Sequence, residues 1–260
     1  MSPEVRNLLY RRPELYELMY PDTDEETPKL CGRLFDRYLD EPPSSILDIG
    51  CGTGRDLAVL SRDCPDCVGI DANPEMIQYA RARHAQVHFQ VGDMRSVRLG
   101  RTFDAILCLG STLMYAHTNR DVHSTLQTFE AHAHDGSLLV LDIRNAIGFL
   151  PGGCVFNERT QQEVKSAGFA AETVSVHSFD RRNQRMIRER TWSIPGEPPV
   201  EDYCEYRLFF PAELEHLLAE RQFRVLGMFD NKELQETDLS GRRLYVAAIY
   251  RTRRNLRQDR

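Results

Sequence analysis

No stretch of the sequence approaches the ~18 consecutive apolar residues needed to span a bilayer, and the N-terminus lacks the charged-then-apolar profile of an export signal. Both absences predict a cytoplasmic protein. A surplus of positive charge is missing too: 33 Lys+Arg stand against 39 Asp+Glu, a net charge of -6. That balance argues against a broad phosphate-binding face, and so against nucleic acid as a partner. Seven cysteines, an odd number scattered through candidate core strands, do not read as a disulfide framework. Cys64-Pro-Asp-Cys67 has the spacing of half a zinc site, but no second pair follows. The pair therefore reads as a turn before a buried strand, and no metal is expected. Repeats and low-complexity tracts are also lacking, and 260 residues suit one large α/β domain with a substantial insertion.

What the chain does have is a concentrated glycine turn. Residues 45–55 read Ser-Ile-Leu-Asp-Ile-Gly-Cys-Gly-Thr-Gly-Arg. An apolar strand leads to Asp48, and Gly50, Gly52 and Gly54 form the turn before a helical pattern. Side chains at those glycines would keep a ligand off the main chain, so the ligand is expected on backbone at the mouth of a strand. The dinucleotide fingerprint Gly-x-Gly-x-x-Gly aims a helix N-terminus at a pyrophosphate. Here the spacing is Gly-x-Gly-x-Gly with an acid two positions ahead, which suits a ligand carrying positive charge better than a phosphate.

Around this turn the chain alternates short apolar strands with helices. Strands are predicted over 46–49, 67–71, 87–91, 103–109 and 137–143, and helices over 56–62, 74–83 and 121–132, with Asn73 as N-cap before Pro74. Such alternation predicts a doubly wound, mostly parallel sheet covered on both faces. Helices are predicted over 3–10, 13–20 and 28–39 ahead of it. After residue 150 the rhythm changes to alternating runs at 173–179, 185–193 and 201–209, an antiparallel insertion. A helix over 211–221 and strands over 223–229 and 243–250 close a seven-stranded sheet whose last strand is antiparallel. The expected organisation is thus an N-terminal helical lid (1–40), a core (41–150 and 211–251), a β insertion capping the substrate (151–210) and a solvated tail (252–260).

Ligand-facing positions follow the strands. Asp71, with Ala72 beside it, ends the second strand where a carboxylate can accept from both ribose hydroxyls. Asp93 is placed to accept from an adenine amino group, the Met94 backbone N–H faces a ring nitrogen, and Cys108 and Leu109 offer carbonyls to an ammonium. Motif, ribose acid, Gly-Asp-Met and Phe-Asp-Ala-Ile-Leu-Cys-Leu, in this order and spacing, resemble the class I S-adenosylmethionine-dependent methyltransferases. The resemblance implies a Rossmann-like fold and S-adenosylmethionine as cofactor, with S-adenosylhomocysteine as product.

The stretches Tyr16-Glu-Leu-Met-Tyr20, Gly92-Asp-Met-Arg95, 99–104, Gly110-Ser-Thr-Leu-Met-Tyr115 and 149–153 are similar to small-molecule N-methyltransferases of amino-sugar and antibiotic biosynthesis. That resemblance places Tyr16 and Tyr115 beside the transferred methyl and implies methylation of an amine on a small natural-product intermediate by direct in-line displacement. Residues 142–145, Asp-Ile-Arg-Asn, depart from the acid and tryptophan that usually close the fifth strand in the sugar enzymes. Transfer demands alignment and dryness more than side-chain chemistry. Tyr16, Tyr20 and Tyr115 suit that task, because their rings attract cations and their hydroxyls orient an amine, while His117 is the candidate base. Other readings are a small-molecule O-methyltransferase, an amino-acid N-methyltransferase, or a non-catalytic S-adenosylmethionine-binding regulator. In the insertion, His177, Arg188, Arg190, Trp192, Tyr203 and Glu205 alternate on strands, giving a face that roofs the substrate or joins a second copy.

Overall fold

A computed structural model describes residues 7–21, 23–149, 158–166 and 169–252. Part of the helix expected over 3–10, most of the 149–153 similarity and the tail from 253 lie outside them. The central sheet has seven strands: β1 (Ser45–Ile49), β2 (Asp66–Asp71), β3 (His88–Val91), β4 (Phe103–Cys108), β5 (Ala133–Arg144), and, beyond the insertion, β10 (Phe223–Phe229) and β11 (Arg243–Tyr250). Their order is β10-β11-β5-β4-β1-β2-β3, and β11 alone runs opposite to the other six.

Strand alternation sends side chains to two separate cores. On one face Leu47, Ile49, Ile106, Leu139 and Val246 pack under α6 (Asn119–Ala131) and α7 (Pro211–Ala219). On the other, Ile46, Ala105, Leu107, Val140 and Ala247 pack under α3 (Glu26–Tyr38), α4 (Arg55–Leu60) and α5 (Pro74–Arg83). Burial on both faces is why these strands read as continuous apolar runs. α5 starts as predicted: the Asn73 side chain accepts from the N–H groups of Glu75 and Met76, and Pro74 occupies the first turn. The 64–67 cysteines are free and buried beside the start of β2, with Cys67 Sγ 3.4 Å from the Cys64 carbonyl.

The insertion is a second sheet of four strands in meander order, β6 (Arg159–Ser166), β7 (Phe169–Asp180), β8 (Arg185–Ser193) and β9 (Val200–Arg207), not three. The missed strand, β6, reads Arg-Thr-Gln-Gln-Glu-Val-Lys-Ser, and of its described side chains only Val164 is buried. It lies at the sheet edge, where polar residues are tolerated and erase the alternation that betrays a strand.

The N-terminal segment forms α1 (Leu8–Arg11) and α2 (Pro13–Met19), broken at Arg12. Leu8, Leu9 and Leu15 are buried with Val164, Ala171, Trp192 and Ile194 of the second sheet. At about 1.5–3 kcal/mol for each buried leucine, this contact anchors the helices on the insertion. No described helix is long and apolar enough to cross a membrane.

Candidate active site

The carboxyl ends of β1, β2 and β4, the two N-terminal helices and β9 enclose one cavity of about 600 Å³. Its near end is built on the glycine turn. The N–H groups of Gly50 and Cys51 both donate to the Ile70 carbonyl, at 2.6 and 3.0 Å, tying the turn to the end of β2. Gly52 sits at φ +54 with open space where a side chain would project, leaving its backbone bare toward the cavity. Gly54 has a different task from the one expected. It is the N-cap of α4 at φ +76, a Cβ there would stand 2.5 Å from the Phe89 ring, and it does not line the cavity. The third glycine therefore lets α4 settle onto the sheet.

Four carboxylates, Asp48, Asp56, Asp71 and Asp93, line this end. Asp48 is 3% exposed, and its Oδ1 has no hydrogen-bond partner. Burial, then the charges of Asp56 and Asp71, push its acid well above the usual range. Asp71 accepts from the N–H of Gly52 at 2.9 Å and of Asn73 at 2.8 Å. These bonds only partly offset the upward push of burial. Asp93 is engaged by the Arg95 guanidinium, whose Nε lies 2.9 and 3.1 Å from its two oxygens. That pairing holds Asp93 below the usual carboxylate range. Ala72, Met94 and Leu109 line the same end, together with Arg55, Asn73, Arg95 and Thr112.

The far end is a cluster of phenols. Tyr115 follows β4 in a short 3-10 turn, and its hydroxyl lies 2.6 Å from that of Tyr10, 3.4 Å from that of Tyr206 and 3.3 Å from Cys204 Sγ. Burial raises the phenols of Tyr10, Tyr16 and Tyr115, and that of Tyr206 to about 12, so all four stay neutral at ordinary pH. His117 Nε2 lies 3.0 Å from the Glu205 carbonyl. Glu205 itself pairs with Arg185 at 2.9 Å and accepts from the Tyr203 hydroxyl.

Tyr16, Tyr115 and His117 thus line one cavity with the residues at the glycine-turn end, but Tyr20 does not. Tyr20 is the C-cap of α2, 39% exposed, with its ring edge-on to that of Tyr16, 5.2 Å between centroids. Helical spacing put those two on one face; the helix ends one residue too early for both to point inward. Tyr10 takes the inner place because the break at Arg12 swings α1 across, fixed by the Asn73 side-chain amide donating to the Tyr10 carbonyl at 2.9 Å. Of the residues expected on one face of the insertion, Tyr203 and Glu205 line the cavity, whereas Arg188, Arg190 and Trp192 are buried elsewhere. Cys204 and Tyr206 were missed, although the alternation of β9 was legible.

At the near end α2 is tied to the glycine turn and the start of α4. The Thr53 hydroxyl donates to Glu17 at 2.5 Å, Arg55 reaches the other Glu17 oxygen at 3.4 Å, and the Arg55 guanidinium stands 5.7 Å over the Tyr16 ring. An open glycine backbone, an unpartnered buried carboxylate and a ribose-type acid at the end of β2 fit S-adenosylmethionine: an ammonium for Asp48 and a diol for Asp71.

Residues 46–136 match a family described as a methyltransferase domain. The chain is 28% identical over 237 residues to the dTDP-3-amino-3,4,6-trideoxy-alpha-D-glucopyranose N,N-dimethyltransferase of Streptomyces venezuelae, covering 90% of this chain and 95% of that protein. Two solved structures share the fold. One is an S-adenosylmethionine-dependent methyltransferase from Clostridium acetobutylicum, with TM-score 0.78, 14% identity and coverage of 95% of this chain and 100% of that one. The other is an amino pentose methyltransferase from Micromonospora echinaspora involved in calicheamicin biosynthesis, bound to S-adenosylmethionine, with TM-score 0.72, 24% identity and coverage of 91% and 95%. Sequence motifs, strand order and cavity agree with these likenesses: the chain has the Rossmann-like fold and carries a methyltransferase domain over residues 46–136.

Proposed function

We propose that this enzyme methylates an amine on a small natural-product intermediate of the amino-sugar class. The carrying observation is the pair of bonded, neutral phenols Tyr10 and Tyr115, backed by Tyr206, at the end of the cavity away from the glycine turn, with Tyr16 between that end and Arg55. An amine held there is surrounded by electron-rich faces and by hydroxyls that orient its lone pair without binding it covalently. The similarity to a sugar N,N-dimethyltransferase along nearly its whole length supports the same reading.

In this reading Gly50 and Gly52 cradle the methionine part of the cofactor, Asp48 receives its ammonium, and Asp71 holds its ribose. Asp93, Met94 and Leu109 border the remainder, and the cofactor supplies a methyl group already activated on a sulfonium. The protein's task is alignment: bringing the amine to about 3 Å behind the methyl with water excluded is worth up to about 7–11 kcal/mol. α1 and α2 act as the lid over that contact and β9 as its cap.

The test is incubation with S-adenosylmethionine and dTDP-3-amino-3,4,6-trideoxy-alpha-D-glucopyranose, with glycine and a catechol as comparators, read by mass spectrometry. The amino-sugar is expected to gain one or two methyl groups. Methylation of the catechol alone would overturn amine transfer, and methylation of glycine alone would overturn the substrate class.

A further inference from the structure

Only a neutral amine has the lone pair that forms the new C–N bond, whereas an alkyl amine is protonated at neutral pH. A group in the cavity placed to take that proton would keep the bound amine reactive. The phenols of Tyr10, Tyr16 and Tyr115 are raised by burial and are poor acceptors. The Glu205 carboxylate is already bonded to Tyr203 and Arg185. Burial alone would raise it, but Tyr203, Arg185 and His117 outweigh that and hold it below its usual range, a weak base. His117 is the imidazole lining this end among the described residues.

Its placement is specific. A carbonyl oxygen only accepts, so the 3.0 Å contact with the Glu205 carbonyl puts a hydrogen of His117 on Nε2 and leaves Nδ1 as the nitrogen that can take up or release a proton. Nδ1 in turn lies 3.9 Å from Glu205 Oε2. One residue of β9 therefore engages Nε2 with its backbone and faces Nδ1 with its charge. Among the described residues, the ionisable groups at this end include Tyr115, whose ring is 6.4 Å away, the Cys204 thiol beside its hydroxyl, and Tyr203 and Arg185, the last two tied to the Glu205 carboxylate.

We propose that His117 Nδ1 accepts the proton of the substrate ammonium, and that Glu205 is the positioning residue that sets its tautomer and stabilises the imidazolium. The role rests on amine methylation as the reaction. The ammonium proton passes to Nδ1, and the freed lone pair forms the C–N bond as the C–S bond breaks and its electrons return to sulfur. The imidazolium then releases the proton to solvent through its exposed edge, the side chain being 32% exposed. A monomethyl product emerges as an ammonium and must lose a proton before a second transfer, so the same nitrogen serves each round.

The experiment uses the full chain, with dTDP-3-amino-3,4,6-trideoxy-alpha-D-glucopyranose as acceptor. His117→Gln keeps an N–H donor for the Glu205 carbonyl and removes the acceptor nitrogen. Its kcat is expected to fall about 100-fold, with KM changed less than about threefold, and the product to stop at the monomethyl stage. Glu205→Gln keeps shape and carbonyl, and the acidic limb of its kcat profile is expected to move to lower pH, because the carboxylate no longer favours the protonated imidazole. Nitrogen NMR of the S-adenosylhomocysteine complex, assigned by the signal lost in His117→Gln, should show the Nε2–H tautomer. An Nδ1–H tautomer, or unchanged rates and pH profiles in both variants of an enzyme that methylates the amino-sugar, would overturn the proposal alone. A wild-type protein that methylates no amine would overturn the reaction and this role with it.

Discussion

Asp48 carries the electrostatic tension of the cofactor end. Its acid is raised by burial and by neighbouring carboxylates, so the folded protein holds this proton to higher pH than the unfolded chain does. Wherever the folded state binds more protons, stability falls as pH rises. The contribution of Asp48 is therefore neutral below the ordinary aspartate range and increasingly unfavourable as pH climbs through its raised folded value. Asp48→Asn removes that penalty: by chemical denaturation, the variant free of cofactor should gain stability over wild type with rising pH, while S-adenosylhomocysteine, bringing an ammonium, should stabilise it less than wild type. A stability difference that does not vary with pH would show that the carboxylate is not strained. The acid itself was legible in the sequence as part of Asp-x-Gly-x-Gly, but its missing partner was not, because pairing depends on what β2 and α4 bring alongside. Tyr10 illustrates the same limit. Spacing along a helix foretells neighbours only while the helix lasts, and the break at Arg12 exchanged Tyr20 for Tyr10 inside the cavity.

At the scale of elements, β8 shows how a strand can be read correctly and still conceal its purpose. Its bounds, 185–193, match the prediction, since Met186, Arg188, Arg190 and Trp192 alternate onto one buried face. The register with β9 places Arg190 opposite Asp202, whose carboxylate accepts from Arg190 Nε at 3.2 and 3.1 Å and from the Trp192 indole at 2.8 Å. Arg188 stands 3.6 Å from the same acid. Asp202 is thus the shared counter-charge of the second sheet. Asp202→Ala leaves two buried guanidinium groups without it, a loss of about 3–5 kcal/mol. Hydrogen exchange should rise first in β8 and β9 and in α1, which packs on the same Trp192 cluster. Equal deprotection of β1, β4 and β5 would instead mean that the two sheets unfold as one unit. β6 was invisible for the opposite reason, because an edge strand with little to bury has no apolar pattern to show.

For the whole molecule, the cavity belongs to three separate parts: the carboxyl edge of the parallel sheet, the N-terminal helices and β9. The sheet was legible because short apolar strands alternating with helices have few other ways to bury both faces. How the other two parts close over it was not, because that depends on single contacts such as Thr53 with Glu17 and Asn73 with Tyr10. A ligand lying on the glycine turn beneath those helices couples the parts. Product at about 100 times its dissociation constant contributes about 2.7 kcal/mol, which for a chain of this size raises Tm by roughly 5–10 °C. In wild type, S-adenosylhomocysteine should therefore protect α1, α2 and β9 from hydrogen exchange along with the glycine turn. Glu17→Gln removes the carboxylate that Thr53 and Arg55 share. Its complex should keep protection at the turn, lose it in α2, and release product about tenfold faster, as expected for charge-assisted hydrogen bonds worth about 1.5 kcal/mol. Protection of α2 that survives the substitution would mean that the helix is held by the Leu8, Leu9 and Leu15 contact with the second sheet, and that cofactor exchange does not pass through it.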